Sequence, residues 1–243
     1  MDNLIESIDY KSCVIEVYPD FDPQNPREWD NLGIIVCSHG RYELGEEQFD
    51  KNRIDYYSSF DELFADYINL KYKIVDPKEY DTSNETEIQK VWKWIDKNLL
   101  YAPLYLYDHS VLRMKIGSFY GLLPQGHAEF DSGQVGFIYV DKEKLRKEYG
   151  KRITKNIKEK AMQVLNGEID TYDSYVSGQI YGYMAKDSKG EDINSCWGFF
   201  GDTDEMIKEA KGEIDYYLKE KQKKKEKKLK GQIKNKVALQ YRK

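Results

Sequence analysis

The chain has 243 residues, 40% of them hydrophobic and 14% aromatic, which is enough to bury a core in one large or two small domains and excludes a disordered chain despite 33% charged residues. The net charge of −5 conceals an acidic start, with sixteen acids against five bases in residues 1–68, and a basic end, with twelve Lys or Arg against two Glu in residues 219–243. No apolar run reaches the roughly 18 residues of a membrane span, and MDNLIESIDY lacks the basic and apolar regions of a signal peptide.

CVIEVYP (13–19) alternates apolar and polar positions and is read as a strand. Pro19, Pro23 and Pro26 punctuate an extended excursion over 19–32, which leads through NPREWDNLG (25–33) into the short apolar strand GIIVCSH (33–39). In that loop Trp29 is expected to pack underneath as an anchor. Arg27, Glu28 and Asp30 are then left exposed as a partner-binding surface, since function concentrates on loops held by a scaffold. SSFDELFADYINL (58–70) sets Phe60, Leu63, Phe64, Tyr67 and Ile68 at helical spacing behind a Ser58 or Ser59 cap. ETEIQKVWKWIDKNLL (85–100) repeats the pattern with Ile88, Val91, Trp92, Ile95 and Leu99.

APLYLYDHSVLRMKIGS (102–118) reads as extended and GQVGFIYV (133–140) as a strand, while 141–165 reads as helical with Thr154 as a cap. GQIYGYMA (178–185) and SCWGFFG (195–201) flank KDSKGEDIN, whose Asp, Ser and Gly suit a turn, so the pair is a hairpin. SGQ occurs at 132–134 and 177–179, and two similar turns into strands explain it more simply than a duplicated unit. From Thr203 to about Lys236 the pattern is one long helix, with Met206, Ile207, Ala210, Ile214, Tyr217 and Leu218 on its apolar face. Beyond Leu218 that face is expected to vanish into KEKQKKKEKKLKGQIKNK, a solvated basic arm.

Few residues can carry catalysis. Cys13, Cys37 and Cys196 are odd in number and far apart, as free thiols of a reducing cytosol are. Cys37 and His39 share a face of a strand, but no CxxC or HxxxH completes a ligand set, so no metal is expected. A Cys37–His127 nucleophile pair would depend on geometry that the sequence does not contain. Glu129 and Asp131, with His127, form a candidate acid–base or metal group in HAEFDSG (127–133), although a polar turn into the next strand accounts for the same residues. P-loop, GxSxG, GxGxxG and HExxH motifs do not occur, and no cofactor is expected.

The arm is the more specific signal. Lys219, Lys221, Lys223, Lys224, Lys225, Lys227, Lys228 and Lys230 spread around a helix, a surface that attracts phosphate through counterion release without reading bases. Tyr217 and Tyr241 can offer stacking faces beside it.

Taken in order, NPREWDNLG, DSGQVGFIYV, YDSYVSGQIYGY and SCWGFFG resemble small proteins of Gram-positive phages and mobile elements, over roughly residues 19–201 and not the basic tail. Within that group the chain is similar to phage inhibitors of type III CRISPR–Cas effectors that associate with RNA. The resemblance implies interference with host defence in the cytoplasm of an infected bacterium. The abundance of Lys over Arg, 31 against 7, is consistent with the AT-rich coding of such a source.

The expected fold is α+β, a mostly antiparallel sheet with packed helices and a long basic C-terminal helix, in which residues 1–218 form a single body and 219–243 an arm. The expected function is non-catalytic binding of a bacterial CRISPR effector, another defence complex or RNA. Two alternatives stand beside it. One is an acidic nucleic-acid mimic that blocks a host nuclease, motivated by residues 1–68. The other is an enzyme acting on nucleotides or nucleic acid through His127, Glu129 and Asp131.

Overall fold

A computed structural model describes residues 3–50, 52, 54–76, 84–123 and 126–236, with the side chains of 55 and 234–236 set aside. The fold is α+β with antiparallel-dominated sheets. Composition predicts one body over 1–218, whereas the chain forms two compact units, Met1–Pro23 with Gly178–Lys243 and Gln24–Ser177.

The first two strands, β1 (Glu6–Tyr10) and β2 (Cys13–Pro19), belong to the discontinuous unit. The Gln24–Ser177 unit is built on a five-stranded sheet. Its elements are β3 (Ile34–Cys37), β4 (Glu47–Gln48), α1 (Phe60–Tyr72), α2 (Glu85–Asn98), β5 (Leu99–Asp108), β6 (Leu112–Ile116), α3 (His127–Phe130), β7 (Ser132–Asp141), α4 (Lys142–Tyr149) and α5 (Lys155–Val176). The sheet order is β4-β3-β7-β5-β6, antiparallel except for the β3–β4 pair. The central strand β7 is buried on both faces, which explains its unbroken apolar run. Phe137 and Tyr139 point to α1 and α2, where Phe64 stacks on Phe137 with ring centroids 4.2 Å apart. Ile138 and Val140 point the other way, into a second core with Leu145 of α4 and Leu165 and Ile169 of α5.

Local chemistry sets the helix ends. Ser59 caps α1 by accepting the Glu62 N–H, and Thr154 caps α5 by accepting the Ile157 N–H. The expected helical stretch 141–165 is two helices parted at Gly150, and the second runs on to Val176 because Ile169 and Tyr172 extend its buried stripe.

The discontinuous unit pairs the two chain ends in a four-stranded antiparallel sheet, β1-β2-β8-β9, with β8 (Ile180–Lys186) and β9 (Asp192–Phe200) forming the hairpin that the turn residues predict. Helix α6 (Asp204–Lys236) lays Met206, Ala210 and Ile214 on Cys13, Ile15, Val17, Tyr183 and Ala185. The two SGQ segments differ in structure. Ser132–Gln134 lies within β7, whereas Gly178 turns the chain after α5 with φ of 70°.

Candidate functional site

Three places gather polar side chains that the sequence singles out. The first is the loop NPREWDNLG, and there the structure reverses the expectation. Trp29 is 44% exposed, while Arg27 is buried at 6%. The Asn25 side chain accepts the Arg27 N–H and starts a single 3-10 turn, Pro26–Glu28, with Pro26 preset for it. That turn directs the guanidinium inward. Its Nε and Nη2 donate to Glu46, Nη2 also donates to the Gly33 carbonyl at 2.8 Å, and Nη1 reaches Glu168 of α5 at 3.3 Å. Glu168 in turn accepts the Leu32 and Gly33 N–H groups, and Glu46 accepts the Ile35 N–H. Gly33 admits this closure because a Cβ there would sit 2.5 Å from Leu165 and 2.8 Å from Ile138. Of the three residues assigned to a partner surface, Glu28 and Asp30 are exposed and Arg27 is a buried internal fastener.

The second place collects all three histidines at one end of the five-stranded sheet. His39 follows β3, His109 follows β5, and His127 opens α3 before β7. Asp131 lies 3.5 Å from Nδ1 of both His109 and His127, whose rings meet edge-on at 5.6 Å. His39 stacks on Tyr42 and approaches Asp108 at 3.6 Å, where Arg41 also pairs. His127 and Asp131 are thus brought together at the two ends of the short helix α3. Glu129 is directed elsewhere and accepts the Tyr120 hydroxyl at 3.0 Å. Among the described residues, no group of three His, Cys, Asp or Glu is placed to hold a metal ion. Cys37 lies fully buried, and desolvation drives its thiol far above the ordinary range, which removes the thiolate that a nucleophile needs.

Sequence reasoning passes over a polar knot on the α1 side. The Tyr139 hydroxyl accepts from the Lys71 ammonium at 2.7 Å and shares a hydrogen bond with the Tyr67 hydroxyl at 2.9 Å, while Lys71 and Tyr67 both donate to Glu47. Burial raises both phenols, so they stay protonated. The only sequence signal is a tyrosine in an otherwise apolar central strand.

The third place is the distal part of α6. All eight lysines from Lys219 to Lys230 lie on this stretch, against Glu220 and Glu226. Two are committed locally. Lys221 donates to Asp187 at 3.1 Å and to the Tyr217 hydroxyl at 3.0 Å, and Lys223 pairs with Glu220 at 2.8 Å. Asp187 sits in the β8–β9 turn and also accepts the Lys189 and Glu191 N–H groups and the Tyr217 hydroxyl. The Lys189 N–H, the Lys221 ammonium and the Tyr217 hydroxyl hold this carboxyl well below the usual carboxylate range. Tyr217 is therefore a half-buried clasp and no stacking platform; Tyr241 lies outside the described residues. Lys219, Lys224, Lys225, Lys227, Lys228 and Lys230 make no ion pair among the described residues. Beyond Leu218 the apolar face is interrupted by Gln222, Lys225 and Glu226, and the two apolar side chains that follow on it, Leu229 and Ile233, are exposed.

The acidic segment 1–68 is divided between the two units at Pro23, and Glu16, Glu46 and Glu47 within it are bonded internally. No helix among the described residues is long and apolar enough to cross a membrane. Comparison with protein-family models, with curated proteins and with solved structures returned no match to this chain.

Proposed function

We propose that this protein is a non-catalytic binding protein that grips RNA, or the RNA of a bacterial ribonucleoprotein effector, through the distal part of α6. In keeping with the sequence resemblance, it acts as a phage-encoded inhibitor of a CRISPR-type defence complex in the cytoplasm of the infected host. The observation that carries the reading is the lysine stretch of α6. Six ammonium groups without an ion pair among the described residues project from a helix whose buried side chains lie upstream of it, at Met206, Ala210 and Ile214. Such a surface neutralises phosphates by counterion release and is indifferent to base sequence.

The test is a salt titration of single-stranded RNA binding, followed by fluorescence anisotropy. Replacing Lys224, Lys225, Lys227, Lys228 and Lys230 with Gln spares the Lys221–Asp187 clasp. The salt slope should fall by about 0.7 for each phosphate that is no longer neutralised. Unchanged affinity and slope would refute the assignment.

A second reading rests on the convergence of His109, which follows β5, with His127 and Asp131 at the two ends of α3. Two imidazoles against one carboxylate can pass a proton, so acid–base cleavage of RNA is the matching chemistry. RNA turnover by the purified protein, abolished in both His109→Ala and His127→Ala, would establish it over the first.

A further inference from the structure

Helix α6 covers one face of the β1-β2-β8-β9 sheet, and the opposite face carries an aromatic pocket that the arm does not use. Strand register places Tyr18 beside Gly182 and Gly182 beside Trp197, so the three face the same way. Gly182 is what lets the indole lie down on the strand, because a Cβ there would come within 2.2 Å of Trp197 Cε3. The Tyr18 and Trp197 rings stand 6.4 Å apart and tilted. After β2 the chain is tied back by the Asp20 N–H donating to the Ile180 carbonyl, and the Asp20 carboxylate accepts the Asp22 N–H. Phe21, between them, is 76% exposed, and Trp197 is 47% exposed. Together with Asn3 and Pro19 these residues line a cavity of about 390 Å³.

Three aromatic rings and two carboxylates make a specific chemical demand. Ring faces are electron-rich and attract cations. Neither Asp20 nor Asp22 has a basic partner among the described residues. A phosphate would be repelled here, and a purely apolar side chain would desolvate the carboxylates without replacing their water. We propose that this pocket is a docking site for an arginine side chain of a protein partner. The guanidinium stacks on the Trp197 face and turns its N–H fork to Asp20 or Asp22, a combination that a lysine ammonium cannot match. The pocket therefore selects a cation where the arm selects a polyanion, and a nucleoprotein presents both. The inference does not depend on the arm binding RNA.

The experiment follows the Trp197 indole N–H by NMR in the full-length protein, assigned through Trp197→Phe. The probe is the pentapeptide Gly-Gly-Arg-Gly-Gly, and its citrulline counterpart is the neutral isostere. The arginine peptide should shift the resonance saturably, and the citrulline peptide should bind about tenfold more weakly or worse. Phe21→Ser, at a position too exposed to affect folding, should weaken arginine binding by a similar factor. Asp22→Asn should weaken it severalfold and leave citrulline unaffected. Equal binding of the two peptides, or indifference to Phe21→Ser, would overturn the proposal. A short oligouridine that moves the resonance at lower concentration than the arginine peptide would replace it with a base-stacking site.

Discussion

Arg27 is held with its guanidinium buried between the carboxylates of Glu46 and Glu168. An arginine followed by Glu28 and preceded by two prolines within five residues reads as a surface loop, because composition says nothing about where a guanidinium points. Its burial depends on two acids far away in sequence, Glu46 and Glu168, which meet it only after β3 and α5 have packed. The consequence for stability inverts the simple expectation. Removing Arg27 leaves two carboxylates facing each other beside the Gly33 carbonyl, and breaking a buried pair in this way costs about 3–5 kcal/mol. Truncating the half-exposed Trp29 should cost about 1 kcal/mol or less. Urea unfolding of Arg27→Ala and Trp29→Ala measures both, and equal midpoints would contradict the buried-fastener role. At this scale only the caps are legible in the sequence. Ser59 and Thr154 act on N–H groups three residues away, so the local stretch contains the whole interaction.

At the scale of elements the hydrophobic period is a good guide. The β8–β9 hairpin, α1, α2 and α6 all lie where apolar spacing and turn residues place them. Strand β1, ESIDY, escapes because it is a short edge strand whose apolar alternation amounts to Ile8 and Tyr10 alone. Helix α6 is where one element serves two purposes, since its proximal half is core and its distal half is charge. Between them stands the Asp187 clasp. The folded carboxyl of Asp187 is depressed, so its stabilising contribution is complete above the unfolded value, about 3.9, and is lost as pH falls through the folded value. The stability gap between the native protein and Asp187→Asn should therefore be widest near neutral pH and should narrow steadily below about pH 4. Urea midpoints of both proteins, taken stepwise from pH 7 to pH 3, give the gap directly. A gap that stays constant or widens in acid would mean that the Asp187 charge does not hold the helix to the turn.

At the scale of the whole molecule, the acidic start and basic end suggest a body with a tail, a picture that misses the real division. Pairing of Val14 with Lys186 joins positions separated by most of the chain, and no local pattern announces such a meeting. Each of the three apolar cores nevertheless falls entirely within one unit: two lie between Leu32 and Val176, and the third uses only residues before Pro19 or after Ile180. A unit that holds its own core and its own sheet should fold alone. Residues 24–177 expressed by themselves should unfold cooperatively in urea and keep a near-ultraviolet dichroism signal from Phe64, stacked on Phe137 and edge-on to Tyr139. The complementary chain is made by joining Pro23 to Gly178 through a short Gly-Ser linker, which is reasonable because the Asp20 N–H already meets the Ile180 carbonyl at 2.8 Å. That joined chain carries α6, so it should retain the RNA affinity and salt slope of the full protein, while residues 24–177 should bind RNA negligibly. RNA binding that follows residues 24–177 would transfer the function to the histidine cluster, and failure of the joined chain to fold would show that its helix stripe of Met206, Ala210 and Ile214 is too small a core without the rest of the chain.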